Sequence, residues 1–262
     1  MTPDQLQRAS DLLWDAWLEP RCLAALPDDL RPRTREQGYA IQQRIERRSA
    51  SPLVGWKIAA TSKAGQAHIN VDGPLAGRLL RERVRASGDT APFGRHAQMR
   101  VAEAEFAFRM ARALPPQSRP YAVDEVLGAV ATLHPAIELP DSRFDDFTIV
   151  GAPQLIADNA CAHYFVLGEA SPETWRALDL VEHRVNGVVT GKLQREGKGA
   201  NVLGDPRVAL TWLANELSGL GITLDAGQVV TTGTCLVPLE IDAGDHVRMD
   251  FGTLGAVEVH VL

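Results

Sequence analysis

Cysteine is scarce in this chain of 262 residues, and histidine lacks metal-site spacing. Cys22, Cys161 and Cys235 are far apart and odd in number, so neither a disulfide framework nor a Cys-x-x-Cys zinc site is expected. The seven histidines never occur as His-x-x-x-His or His-Glu-x-x-His. Zinc chemistry based on these residues is therefore not expected, and three unpaired thiols are typical of a reducing cytoplasm.

Long hydrophobic runs and an excess of basic charge are also missing. No apolar run is long enough to span a bilayer, and the first residues lack the basic and apolar regions of a secretory signal. The formal net charge of -6 argues against a nucleic-acid binder. We therefore expect a cytoplasmic protein that binds neither membrane nor nucleic acid. Apolar residues make up 45% of the chain, which is enough for a substantial core.

Hydrophobic periodicity divides the chain into two parts. Helices are predicted over residues 3–19, 33–49, 123–133, 153–160 and 205–219. From Pro52 onward, short apolar runs alternate with turn residues, as is typical of strands, and Asn186-Gly187 predicts a type I′ hairpin. Many strands with few intervening helices argue against a doubly wound sheet. We predict an α+β fold in which residues 1–50 form an N-terminal helical part and residues 51–262 a β-rich body, compatible with one compact domain.

Three glutamates lie in otherwise apolar runs. Side chains alternate along a strand, so Glu103 and Glu105 face the same side about 7 Å apart, while Ala104 and Phe106 face the core. Glu138 interrupts a second apolar run. Carboxylates that converge in a cavity repel one another, and a hard divalent cation relieves that repulsion. The alternative is a strand with one solvated face, on which exposed glutamate is ordinary.

Several other polar residues are candidates for substrate contact, each with a structural alternative. Lys57 ends an apolar strand and could meet an anionic substrate or lie on the surface. Asp72 lies in a segment with turn chemistry. Asp158 and Asn159 could simply end a helix. The stretch Thr231-Thr232-Gly233-Thr234 offers hydroxyls and a close backbone approach, or a tight turn.

An ordered set of short motifs runs from about residue 50 towards the C-terminus: Gly55-Trp56-Lys57, Thr61-Ser62-Lys63, Val71-Asp72, Glu103-Ala104-Glu105, Pro135-Ala136-Ile137-Glu138, Asp141-Ser142-Arg143, Ala157-Asp158-Asn159-Ala160 and Val202-Leu203-Gly204-Asp205-Pro206. Together they resemble the 2-keto-4-pentenoate hydratase and 4-oxalocrotonate decarboxylase family, which is related to fumarylacetoacetate hydrolase. The set is more specific for the family than for the reaction. The chain departs from the family pattern at Ala102, at Cys161, where serine is common, and over residues 232–238.

The resemblance implies a β-rich roll of mixed, twisted sheets with an N-terminal helical part. It implies a Mg²⁺ or Mn²⁺ site built from Glu103, Glu105 and Glu138. It also implies that Lys57 and Asp72 border the substrate and act in catalysis. The substrate-binding residues are then expected to be Asp158, Asn159, Cys161 and Thr234.

The reaction implied by the resemblance is hydration of a 2-hydroxy-2,4-dienoate, or its 2-oxo-4-enoate tautomer, to a 4-hydroxy-2-oxo acid, as in meta-cleavage catabolism of aromatic compounds. A 4-oxalocrotonate-type decarboxylase, an acylpyruvate-type carbon–carbon hydrolase and a non-catalytic metal-binding subunit are the alternatives. A substrate tail without charge is favoured, because Lys57 is the one cation placed at the site, although Lys63, Arg143 or a partner subunit could supply another. We also expect a homo-oligomer, with association with a pathway enzyme as a further possibility.

Overall fold

The two amphipathic segments at the start of the chain form helices with threonine N-caps. In the computed structural model, which describes residues 1–19, 21–49, 51–92 and 97–262, helix α1 is Pro3–Leu18 and helix α2 is Arg35–Gln42. The hydroxyls of Thr2 and Thr34 each accept a backbone hydrogen bond from the first turn of the helix that follows. Helix α2 continues as a 3-10 turn over Gln43–Arg48. Both helices agree with the sequence prediction.

Short strands dominate the rest of the described chain. The remaining helices are α3 (Lys63–His68), α4 (Val123–Leu127), α5 (Ala152–Ala157) and α6 (Pro206–Gly219). The strands are β1 (Gly55–Ala59), β2 (Leu75–Leu79), β3 (Val84–Ala86), β4 (Thr90–Ala91), β5 (Val101–Met110), β6 (Val130–Leu139), β7 (Tyr164–Leu167), β8 (Arg184–Val189), β9 (Leu193–Lys198), β10 (Val229–Thr234), β11 (Leu239–Glu240), β12 (His246–Asp250) and β13 (Ala256–Val261).

These strands form two mixed sheets. The larger has the order β2-β1-β10-β5-β6-β7-β3, with β11 paired to β5. Its β1–β10 and β3–β7 pairs are parallel, and its other pairs are antiparallel. The smaller sheet has the order β4-β13-β12-β8-β9, in which β4 and β13 are parallel. The predicted α+β class, with mixed sheets and a helical N-terminal part, is confirmed.

The core joins the two sheets and receives the N-terminal helices. Phe106 on β5 packs edge to face against Phe251, which follows β12, with ring centroids 5.2 Å apart. A separate apolar cluster joins Leu13 of α1 and Ile41 of α2 to Phe144 of the body. The helical part therefore shares buried surface with the body, and the division near residue 50 stays a prediction.

Two local predictions were wrong. The predicted helix over residues 123–133 ends at Leu127, and strand β6 begins at Val130. The predicted hairpin turn at Asn186-Gly187 lies inside β8 instead, and the chain reverses after Val189, where Gly191 has a φ of 73°. Gly187 has a packing role: a Cβ there would lie 2.7 Å from Met249 Sδ and 2.9 Å from Leu239 Cδ1. None of the described helices has both the length and the apolarity to cross a bilayer.

Candidate active site

The three glutamates meet where β5 and β6 pair. Glu103 is directly opposite Glu138 in the antiparallel register, and Glu105 follows on the same face of β5. One carboxylate oxygen of each residue lies within 4.8 Å of the others. Glu105 and Glu138 are buried, and Glu103 is half-buried. The structure therefore brings together the residues predicted to bind a metal, in a buried position rather than on a solvated strand face.

The cluster is electrostatically strained. Desolvation raises the pKa of Glu103 to about 7, with the charge of Glu138 adding to the shift and Lys57 opposing it. Desolvation and both neighbouring carboxylates raise the pKa of Glu105 well above its usual range. Desolvation also raises the pKa of Glu138, although Lys57 opposes this shift. Each carboxylate is therefore harder to ionise than a glutamate in water.

Lys57 is buried beside the carboxylates. Its Nζ lies 2.9 Å from Glu138 Oε1 and donates a hydrogen bond to the Ala160 carbonyl oxygen at 3.0 Å. Burial by itself lowers the pKa of Lys57, but the charges of Glu138, Glu103 and Glu105 outweigh burial, so the net pKa is raised. The side chain is 3% exposed, which excludes a merely solvated surface lysine.

Two groups on β10 hold Glu105 in place. The Thr231 hydroxyl and the Gly233 backbone N–H both donate to Glu105 Oε2, the latter at 2.8 Å. A β-bulge between Thr231 and Thr234 allows this, because it shifts the pairing of β10 with β5. Gly233 has a φ of 95°, and a Cβ there would lie 2.2 Å from Thr61 Oγ1. The sequence stretch was noted for its hydroxyls, but the roles of Thr231 and Gly233 depend on this bulge.

The turn after α5 also contacts Lys57. The Asn159 side chain bonds the backbone of Arg78 on β2, and the Ala160 carbonyl faces Lys57. Cys161 is buried near Lys57, and burial, followed by the charge of Asp158, raises the pKa of its thiol to about 12. A thiol with so high a pKa stays neutral and is a poor nucleophile.

Asp158 forms a buried ion pair with Arg143. Its Oδ2 accepts hydrogen bonds from the Ser142 hydroxyl at 2.8 Å and the Arg143 backbone N–H at 3.1 Å, while its Oδ1 accepts from Arg143 Nε. The side chains of Asp158 and Arg143 are 0% and 4% exposed. Both carboxylate oxygens therefore already have protein donors, and this buried ion pair supports the turn.

Asp72 and Thr234 are less closely connected to the cluster. Asp72 is exposed in the turn before β2, and its charge acts on Arg35. Within the described part of the chain, Asp72 shares no hydrogen bond or ion pair with Lys57 or the glutamates. Thr234 is opposite Glu105 in the register, and its hydroxyl donates to the Leu236 carbonyl at 2.8 Å. The expected catalytic role of Asp72 therefore has no contact that supports it.

The donor set fits a divalent cation. In the described part of the chain, two buried carboxylate oxygens, Glu105 Oε1 and Glu138 Oε2, have no hydrogen-bond donor. The other oxygen of Glu138, Oε1, lies 2.9 Å from Lys57 Nζ, whose charge offsets it. Buried anionic oxygens without donors are costly, and hard cations such as Mg²⁺ bind oxygen ligands of this kind. Glu103, Glu105 and Glu138 would hold such an ion.

The mixed-sheet fold thus carries an acidic, lysine-flanked cluster across β1, β5, β6 and β10. Residues 67–262 match the family model described as fumarylacetoacetate (FAA) hydrolase C-terminal, and the chain belongs to this family.

Relatives with known names match nearly the whole chain. The chain is 32% identical over 260 residues to a 2-keto-4-pentenoate hydratase of Paraburkholderia xenovorans (strain LB400), covering 98% of this chain and 95% of that protein. It is 30% identical over 251 residues to a 2-hydroxyhexa-2,4-dienoate hydratase of Comamonas testosteroni, covering 94% of each. The fold is similar to that of 4-oxalocrotonate decarboxylase from Pseudomonas putida G7, complexed with magnesium and adipate. The TM-score is 0.89 at 25% identity, covering 100% of this chain and 99% of that one.

Proposed function

We propose that this protein is a divalent-metal-dependent hydratase, a hydro-lyase of meta-cleavage catabolism. It adds water to a 2-hydroxy-2,4-dienoate, or its 2-oxo-4-enoate tautomer, and forms a 4-hydroxy-2-oxo acid. The observation that carries the proposal is the buried convergence of Glu103, Glu105 and Glu138, with carboxylate oxygens that lack donors, beside Lys57. The hydratases among its relatives support the same reaction.

The residues of the site suit a 2-oxo acid. A bound Mg²⁺ or Mn²⁺ ion would act as a Lewis acid that stabilises negative charge on the 2-oxo acid group. Lys57 is kept protonated by the surrounding carboxylates, so it presents positive charge and a proton donor to an anionic substrate. Thr231 and Gly233 fix one oxygen of Glu105 and leave the other without a donor.

The charges around the site favour a substrate whose tail is uncharged. Among the described residues, Lys57 is the basic side chain whose charge acts on the three glutamates. Arg143 is paired with Asp158, and Lys63 is exposed, with its Nζ bonded to Gln66 Oε1 at 3.2 Å. A second carboxylate, as in 4-oxalocrotonate, would need a cationic partner once it is desolvated. This consideration favours hydration over decarboxylation.

The test compares both substrates on one preparation. The metal-free protein is supplied with Mg²⁺ or Mn²⁺, and the loss of 2-hydroxypenta-2,4-dienoate is followed beside carbon dioxide release from 4-oxalocrotonate. Metal-dependent hydration of the dienoate is expected. Decarboxylation without hydration would make the protein a decarboxylase. Metal binding without either turnover would leave the acylpyruvate-type hydrolase and the non-catalytic subunit as the alternatives. Light scattering tests the expected homo-oligomer separately.

A further inference from the structure

The turn that meets Lys57 has an uncommon backbone conformation. Asn159, Ala160 and Cys161 have φ values of 53°, 50° and 60°, three consecutive residues in the left-handed region. Glycine occupies this region readily and asparagine tolerates it, but alanine and cysteine are disfavoured there. Such a turn persists only when its surroundings hold it in place.

The Asn159 side chain provides much of that hold. Its Oδ1 accepts a hydrogen bond from the Arg78 backbone N–H at 2.7 Å, and its Nδ2 donates to the Arg78 carbonyl oxygen at 2.9 Å. The amide thus binds β2 at two points, as a neighbouring strand would. Gly77 allows the close approach, because a Cβ there would lie 2.4 Å from the Asn159 carbonyl oxygen and 3.0 Å from Lys57 Cγ. Asn159 is 2% exposed.

The turn that contains Asn159 and Ala160 restrains the side chain of Lys57. The ammonium group of a lysine has three donors on a flexible stem. At Lys57, one donor bonds the Ala160 carbonyl at 3.0 Å, and Nζ is also held 2.9 Å from Glu138 Oε1. The Ala160 carbonyl can meet Nζ only while the backbone around it keeps its left-handed course. Control over the position of the ammonium group therefore extends back to the Asn159 amide.

We propose that Asn159 is a positioning residue and not a substrate ligand. Its two hydrogen bonds to Arg78 fix the turn, so that the Ala160 carbonyl holds Lys57 against Glu138. The kinetic part of this proposal rests on the proposed function, whereas its structural part does not.

Asn215 offers a matched control elsewhere in the fold. Its Oδ1 accepts from the Tyr121 backbone N–H at 2.7 Å, and its Nδ2 donates to the Tyr121 carbonyl at 3.1 Å. Asn159→Ala and Asn215→Ala therefore each lose one pair of side-chain-to-backbone hydrogen bonds, but the pair at Asn215 joins α6 to Tyr121 and not the turn to β2. Asn159→Gly is the second test variant, because glycine accepts the left-handed φ without strain and so separates the loss of the amide from backbone strain.

The experiment measures kcat, KM, Mg²⁺ affinity and a crystal structure for each variant. Both Asn159 variants should lose about 10- to 100-fold in kcat, the scale expected for a misplaced catalytic group, with KM and Mg²⁺ affinity nearly unchanged. Asn215→Ala should keep its kcat. In the crystals, Lys57 Nζ should leave the Ala160 carbonyl in the Asn159 variants alone.

Three outcomes would overturn the proposal: an unchanged kcat in the Asn159 variants, a KM that rises while kcat holds, or an unmoved Lys57. If Asn159→Ala does not fold, the kcat, KM and crystal structure of Asn159→Gly test the proposal. If the unmodified protein lacks hydratase activity but Lys57 still moves in the Asn159 crystals, the proposed function fails and the positioning role stands.

Discussion

Glu103 and Glu138 lie directly opposite each other on the antiparallel strands β5 and β6. Like charges at such a cross-strand position destabilise a sheet, and Glu105 adds a third carboxylate within 4.8 Å. Lys57 offsets part of this repulsion from β1. The strand pairing therefore holds the carboxylates together although their repulsion lowers the stability of the fold. A bound cation would relieve that repulsion.

Glu103→Gln tests this balance directly. The substitution keeps the shape of the side chain and removes one repelling charge, so the metal-free melting temperature should stay the same or rise. A ligand at 100 times its Kd stabilises a protein by about 2.7 kcal/mol, and the variant should lose most of that gain with Mg²⁺. Thermal unfolding with and without Mg²⁺ measures both effects. Glu240→Gln, at an exposed carboxylate on β11, should respond to Mg²⁺ like the unmodified protein.

Lys57→Met should lower kcat/KM by about 10²- to 10⁴-fold, the range for loss of a general acid or base. It should also lower the metal-free melting temperature, because the glutamates lose their buried cation. Added Mg²⁺ should restore part of that stability but not the rate. Lys63→Met is the control, since this nearby lysine is exposed. Equal rates in the two variants would contradict a catalytic role for Lys57.

Asp158→Asn should lower the free energy of unfolding, and this loss of stability should be its main effect rather than weaker substrate binding. The substitution leaves Arg143 buried without its anionic partner, which costs about 3–5 kcal/mol in comparable buried pairs. Urea unfolding measures the loss. Asp242→Asn breaks ion pairs at an exposed carboxylate and should change the unfolding midpoint little. A stable Asp158→Asn variant with a raised KM would instead support direct substrate contact.

His163 should make stability depend on pH. Its Nδ1 accepts a hydrogen bond from Trp17 Nε1 at 2.9 Å, and burial, with Arg83 and Arg143 nearby, lowers its pKa well below 6.5. The unfolded chain binds a proton at this histidine below about pH 6.5, while the folded chain does not. His163 should therefore leave the free energy of unfolding unchanged above that pH. Below that pH, the free energy of unfolding should fall as the pH drops.

His163→Asn, which keeps an acceptor for Trp17, should flatten this slope in urea titrations between pH 7 and 5. His68→Asn, at an exposed histidine on α3, should leave the slope unchanged. An identical slope in His163→Asn would contradict the assignment.

Strand alternation is a local property, so it correctly predicted that Glu103 and Glu105 share a face. The register that sets Glu138 opposite Glu103 is not local, since it depends on how two separate strands pair. The bulge that brings Gly233 N–H to Glu105 is likewise visible only once β10 and β5 are paired. The sequence could therefore identify the carboxylates as candidate metal ligands. It could not identify the groups that hold those carboxylates in place.

The wrong turn at Asn186-Gly187 and the missed partner of Asp158 have the same origin. Asp158 does end α5, but its partner, Arg143, lies 15 residues earlier and meets it only in the folded chain, and its expected contact with substrate stays a prediction. Asn186-Gly187 has the composition of a tight turn, yet Gly187 is small because Met249 and Leu239 pack against it. In both cases a tertiary contact decides a role that local propensity would assign differently.

Strand β10 joins Lys57 to the glutamates. It pairs with β1 through Lys57 and Thr231 and with β5 on its other side, although it follows both strands at a long distance in sequence. A nascent chain that stops before Val229 already contains Lys57 and all three glutamates, but lacks the strand that aligns them. Pairings between distant segments form slowly, because their loop-closure entropy is paid first. The centre should therefore assemble only after β10 has been synthesised, and a chain that stops before β10 would carry every reactive side chain without the ability to use them.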